Sequence, residues 1–263
     1  MKKSLTRCSS VSSPQSGVDE KSSTKSVTQT KFVGLKSIVT DPVPFPQPFI
    51  LQEFFELGEN RSLLFPKECN VKDLGPITKV QREHLDSISQ EMFPPLSPTA
   101  QEVQCNILEL ETPGVNFPGL KVTSISTMTS QLFSCTKGTQ EYRFALLSSQ
   151  SRAEGPKPLL WLFNKLTAAD DDQMDRSPKE QTSFSFTRVW TEKTHEGEVV
   201  FNTNARLEIR INIPKLIMRL LPVKLEKFEE QGSASIQKLL DRDLGASMER
   251  FKTTYLEWMS RYN

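Results

Sequence analysis

An α+β fold, with an antiparallel sheet wrapped around one long C-terminal helix, is predicted by three stretches of this sequence. Residues 198–214 (EVVFNTNARLEIRINIP) alternate apolar and polar side chains from end to end. From Pro222 to Tyr262 an apolar stripe recurs at steps of mostly three and four. Between Gln101 and Ser148 the chain breaks into alternating segments separated by turn residues, the texture of an antiparallel meander.

The elements follow in chain order. Residues 1–30 hold nine serines and four threonines. Their first 18 positions carry Lys2, Lys3 and Arg7 and no acid. Basic, serine-rich and acid-poor is the composition of a transit peptide. It is also that of an ordinary disordered tail, which cannot offset its ordering entropy by burial. No apolar h-region of a secretory signal is present. The segment 1–30 is expected to be disordered and residues 31–263 to form a single α+β domain.

Residues 31–40 read as a first strand. Residues 41–48 contain four prolines and form an extended connector. Residues 49–57 (FILQEFFEL) read as a short helix, and 79–92 as a second. Val103, Cys105 and Ile107 share one face of a strand that two prolines and two glycines interrupt at 112–119. Strands at 120–129, 131–136 and 140–148 follow. Residues 159–166, opening on five apolar side chains, are a strand or a short helix, which periodicity does not separate. Asp170, Asp171, Asp172 and Asp175 fall in a polar stretch at 167–182 without the ligand spacing or turn glycine of a calcium loop, so a solvated loop is expected.

In the long strand, Val199, Phe201, Ala205, Leu207, Ile209, Ile211 and Ile213 point one way. Asn202, Asn204, Arg206, Glu208, Arg210 and Asn212 point the other, and that side is expected to look largely at water. Pro222 suits a first helical position. Beyond it Leu225, Phe228, Ile236, Leu240, Leu244, Met248, Phe251, Tyr255, Trp258 and Tyr262 make one helix face. Seven basic and seven acidic residues share the rest of that segment, whereas a membrane-surface helix shows a Lys/Arg surplus. The stripe is therefore expected to meet protein. Gly232 and Gly245 each cost about 1 kcal/mol against alanine inside a helix, so a kink or a close approach to the sheet is expected there.

Several function classes have no support. Thirty-three basic against thirty-two acidic residues give a net charge of +1, without the basic footprint of a general nucleic-acid binder. No apolar run reaches the roughly 18 residues of a membrane span, and a soluble chain is expected. Cys8, Cys69, Cys105 and Cys135 are scattered with no CxxC pair. Cys105 and Cys135 read as small buried hydrophobes. No metal-ligand set and no cofactor motif is present. His84 lacks a partner at a ligand spacing and is expected at the surface, while His195 sits in a turn-like KTHEG. The sequon at Asn60–Ser62 has no secretory signal to make it meaningful. No residue recommends itself as catalytic.

The tail carries a resemblance. Ile211-Asn212-Ile213-Pro214, Leu220-Leu221-Pro222, Glu226, Gly232, Ile236, Leu240 and Tyr255-x-x-Trp258 resemble an uncharacterised family of cyanobacterial and plastid proteins, domain of unknown function 1997. That family looks like a START-like, or helix-grip, fold. Thr254 stands where the pattern expects an acid, and 167–182 looks like an insertion. The resemblance implies a chloroplast (stromal) protein, with the cytoplasm as runner-up.

On that footing a non-catalytic binding protein is expected, with an apolar cavity for a lipid, pigment or isoprenoid-like ligand. The expected lining is Phe201, Leu207, Ile209, Met248, Phe251 and Tyr255. The alternative is a plastid assembly or interaction factor with a protein partner, whose inward residues simply fill a core. An enzyme is the third reading, and no cofactor is implied.

Overall fold

In the computed structural model, residues 27–45, 48–117, 120–135, 138–157, 160, 183–194, 197–214 and 224–261 are described. Strand β8 (Glu198–Pro214) has the bounds its alternation predicts and lies near one edge of the sheet. Five strands run beside it in consecutive order: β7 (Ser183–Lys193), β6 (Gln140–Glu154), β5 (Leu120–Ser134), β4 (Gln101–Phe117) and β3 (Asn70–Pro76). Every pairing is antiparallel. On its other side β8 pairs with β1 (Val27–Val39) and the two-residue β2 (Val43–Pro44).

β1 and β3 are opposite edges, so the chain between them has to cross the sheet. Helices α1 (Pro48–Glu56) and α2 (Gly58–Ser62) make that crossing, and α1 buries Leu51, Phe54 and Phe55 on what we call the inner face. Pro48 opens α1, where its missing N–H costs nothing. Asn60 of the sequon is buried, and its amide donates to the Phe54 carbonyl.

Several expectations shift. β1 begins at Val27, four residues inside the segment expected to be disordered. Thr30 is fully buried and donates to Glu229. The strands expected at 120–129 and 131–136 are one strand, β5. The prolines and glycines after Thr112 do not end β4 at once; a register shift between Thr112 and Val115 takes Pro113 and Gly114 into it. Segments 1–26, 161–182 and 215–223 lie outside the described residues, and with them the transit-peptide reading, the four-aspartate loop and Pro222.

The closing helix α4 (Leu225–Met259) runs along β1. It satisfies the edge strand in a way the apolar stripe did not reveal. The outward amides of Lys31, Val33 and Leu35 donate to Glu229, Ser233 and Gln237 at 3.1–3.2 Å. Lys36 adds an ion pair to Asp241. Edge amides recur every second strand residue, about 6.6 Å. Every fourth helix residue advances about 6 Å. The two repeats nearly match, so a polar row on α4 stands in for a ninth strand along Lys31, Val33 and Leu35 and occupies their outward amides.

The outer face departs furthest from expectation. Helix α3 (Lys79–Met92), capped by Thr78 and Gln81, packs there instead of leaving it to water. Leu85 and Ile88 bury against Cys105, Ile107, Ala145 and Leu147. Burial pushes the Cys105 thiol up to about 11, which keeps it protonated and inert. His84, on the same helix, is half-buried rather than at the surface; burial lowers its basicity although the Leu147 backbone bonds it.

Candidate functional site

Four of the six expected lining residues meet in one aromatic core on the inner face. Phe201, Met248, Phe251 and Tyr255 are at most 1% exposed. Ring centroids lie 5.4 Å apart for Phe201–Phe251 and 5.1 Å for Phe201–Tyr255. Phe54 of α1 closes the set at 5.1 Å from Phe251 and 5.2 Å from Tyr255. These edge-to-face contacts are the favoured geometry of packed rings. Tyr255 also donates its hydroxyl to the Pro44 carbonyl at 2.8 Å, and the buried Tyr142 hydroxyl donates to the Phe55 carbonyl. Burial raises both phenols far above their ordinary range.

Leu207 and Ile209 are set apart from that core. Both are half-buried, and they stand opposite Ser185 and Ser183 in the β7 register. Nearby on β5 and β6, Ser124, Ser126 and Ser149 bond among themselves through their hydroxyls. The expected lining set is therefore divided between a ring-filled part and a hydroxyl-bordered one.

The outer face holds groups that sequence reasoning placed in water. Glu208 is 2% exposed and takes three cations. Its Oε1 accepts from Lys31 Nζ at 3.0 Å and Arg210 Nε at 2.8 Å, and its Oε2 from Arg206 Nη2 at 2.7 Å. Backbone register dictates the arrangement. Arg206 and Arg210 flank Glu208 on the same side of β8, while Lys31 lies directly across from Arg210 on β1. Like charges directly opposite repel, and the diagonal carboxylate relieves this. Burial works to raise the Glu208 carboxyl, but the three bonds outweigh it and hold it below the ordinary range.

A second cluster repeats the device. Arg143 and Arg188 stand directly opposite on β6 and β7. Buried Glu141 accepts from Arg143 Nε at 2.6 Å and from both Arg188 Nε and Nη2 at 2.9 and 2.8 Å. Aromatic rings back these cations as well. Arg188 lies 4.2 Å from the Trp190 centroid, and Arg210 4.2 Å from Phe184.

The clusters differ in what is left over. Arg143 spends a further donor on the Pro94 carbonyl and its side chain is 7% exposed, while Arg188, 25% exposed, gives both Nε and Nη2 to Glu141. Around Glu208 the Lys31, Arg206 and Arg210 side chains remain 46%, 41% and 25% exposed. A cavity of about 90 Å³ opens beside them, walled by Ile88, Met92, Phe184 and Phe186. The Arg-x-Glu-x-Arg spacing in β8 and the Phe-x-Phe spacing in β7 were the available signals. Neither shows in sequence that the two strands are neighbours. His195 and the four aspartates lie outside the described residues. Among the described residues, no three His, Cys, Asp or Glu side chains converge as metal ligands.

The chain matches no protein-family model, and a comparison with curated proteins finds no match. Its function is read from its own geometry.

Proposed function

We propose that this chain is a non-catalytic interaction protein of START-like, helix-grip design, with a filled inner core and recognition on the outer face of the sheet. The observation that carries the reading is the mutual packing of Phe201, Met248, Phe251 and Tyr255. Rings in edge-to-face contact leave no space between them for a ligand. The tail pattern at 211–258 supports the START-like likeness, and the composition of residues 1–26 supports plastid import. Native mass spectrometry of the protein from its own organism tests the reading. The expected result is the chain with a protein partner and no small-molecule mass. A fluorescent protein carrying residues 1–26 should enter the plastid of an algal cell, and cytosolic fluorescence would remove the plastid part.

One observation favours a second reading, an amphipathic ligand seated at the other part of the inner face. Leu207 and Ile209 stay half-buried there, facing Ser183 and Ser185 across the register. A lipid, pigment or isoprenoid-like mass on the native protein, lost in Ile209→Trp, would establish that reading in place of the first.

A further inference from the structure

We propose that the cavity between the C-terminal turn of α3 and strands β7 and β8 binds a carboxylate carried on a short apolar stem. This deepens the outer-face reading above by naming the chemistry recognised, and it does not depend on the inner face being filled.

Charge is the first argument. Of the three cations around Glu208, Arg206 and Arg210 line the cavity, so with Glu208 its rim keeps an excess of one positive charge, and Lys31 adds a second from outside the lining. The Glu141 cluster, whose members lie outside that lining, is the comparison. There two guanidiniums suffice, one carboxylate binds both, and Arg143 is sealed against Pro94. Around Glu208 a third cation is added. Arg206 engages Glu208 through one terminal nitrogen and Arg210 through Nε, so each guanidinium keeps donors outside the clamp.

Preorganisation is the second argument. Phe184 lies beneath the Arg210 guanidinium, and Glu208 pins both arginines, so little side-chain freedom remains to be lost on binding.

Shape and polarity choose the ligand. The cavity, about 90 Å³, is well below a drug-sized site and admits only a fragment. Its cationic rim matches a planar carboxylate, which guanidiniums bind in a fork. Its remaining wall is Ile88, Met92, Phe184 and Phe186. That wall offers no partner to the extra oxygens of a phosphate, but it shields methylene groups. A partner's glutamate side chain and a free short-chain acid share this chemistry.

The test uses the full chain labelled with nitrogen-15, titrated with butyrate, butanamide, acetate, inorganic phosphate and N-acetylglutamate methylamide. The arginine Nε–H signals and calorimetry serve as readouts. Saturable shifts at Arg206 and Arg210 are expected with butyrate and with the glutamate derivative. Acetate and phosphate should bind several-fold more weakly, and butanamide should not bind. Arg206→Gln and Arg210→Gln should each weaken butyrate by roughly tenfold, the usual loss for a charged hydrogen bond. Arg188→Gln, in the Glu141 cluster and outside the cavity lining, should not. If Arg210→Gln fails to fold, the more exposed Arg206 carries the comparison. Tighter binding of the glutamate derivative identifies a protein side chain as the source, and tighter binding of butyrate a free acid; both uphold the site. Equal binding of acid and amide, phosphate ahead of butyrate, absence of saturation, or indifference to the arginine variants would each overturn it. A ligand found on the inner face would revise the core reading and leave this result untouched.

Discussion

The inner face of the sheet buries rings against rings, while the outer face buries carboxylates among guanidiniums. On the inner side Phe54, Phe201, Phe251 and Tyr255 need nothing from solvent beyond its absence, apart from the one hydroxyl that finds the Pro44 carbonyl. On the outer side Glu208 and Glu141 are as deeply buried, yet each depends on cations from its own and a neighbouring strand. Apolar packing tolerates small adjustments of position, whereas a buried charge pair is sensitive to the loss of either member. The inner face is thus built for stability. The outer one holds charges in place, and at Glu208 it leaves part of them accessible.

The largest effect expected from this contrast is on the inner face. Phe251→Ala should lower stability by about 3–5 kcal/mol in urea melts, the range for a fully buried phenylalanine. A near-neutral result would mean that α4 does not carry the core.

On the outer face Glu208→Gln should cost about 1.5–3 kcal/mol, the range for hydrogen bonds to charged groups, and should add a pH signature that Phe251→Ala lacks. The folded carboxyl titrates below its unfolded value. Its contribution is therefore fully present above the ordinary glutamate value of about 4.3, and it is lost as pH falls through the depressed folded one. Acid titration of stability should be shallower in the variant. Parallel curves would refute a load on Glu208.

The two glycines of α4 divide the inner contact more finely. A Cβ on Gly232 would stand 2.3 Å from the Phe32 ring, so Gly232→Ala should destabilise by about 1–3 kcal/mol despite its gain in helix propensity. At Gly245 the nearest atom is Ile38 Cδ1 at 3.9 Å, and Gly245→Ala should stabilise by about 0.5–1 kcal/mol. Thermal melts showing the same sign for both would contradict the close approach at Phe32. The smallest change belongs to the exposed Glu249: Lys252, its ion-pair partner, keeps Asp41 as a second, so Glu249→Ala should cost under about 0.5 kcal/mol.

Local patterns in the chain determined a good deal. The alternation through 198–214 defines β8 to the residue, and the apolar steps after Pro222 anticipate which side of α4 meets the core. These are properties of period: two for a strand and about 3.6 for a helix, both readable from neighbours in the chain. Strands β3 and β7 went unread. The seven-residue β3 carries little period of its own. The eleven-residue β7 does alternate, with Phe184, Phe186, Arg188 and Trp190 on one side, but a mixture of rings and a cation there blurs its apolar face.

Only the tertiary structure decided what covers each face. Period two says that Arg206, Glu208 and Arg210 share a side of β8, but a polar side looks solvated until another element lies over it. Packing of α3 and pairing with β1 and β7 bring Ile88, Lys31 and Phe184 to the same carboxylate from distant parts of the chain. The polar row Glu229, Ser233 and Gln237 has meaning only beside the edge amides of β1, and Gly232 is a contact only where Phe32 arrives. A residue's own neighbours set its direction. Its dielectric surroundings and its partners come from contacts made far along the chain, and burial, charge and recognition depend on those.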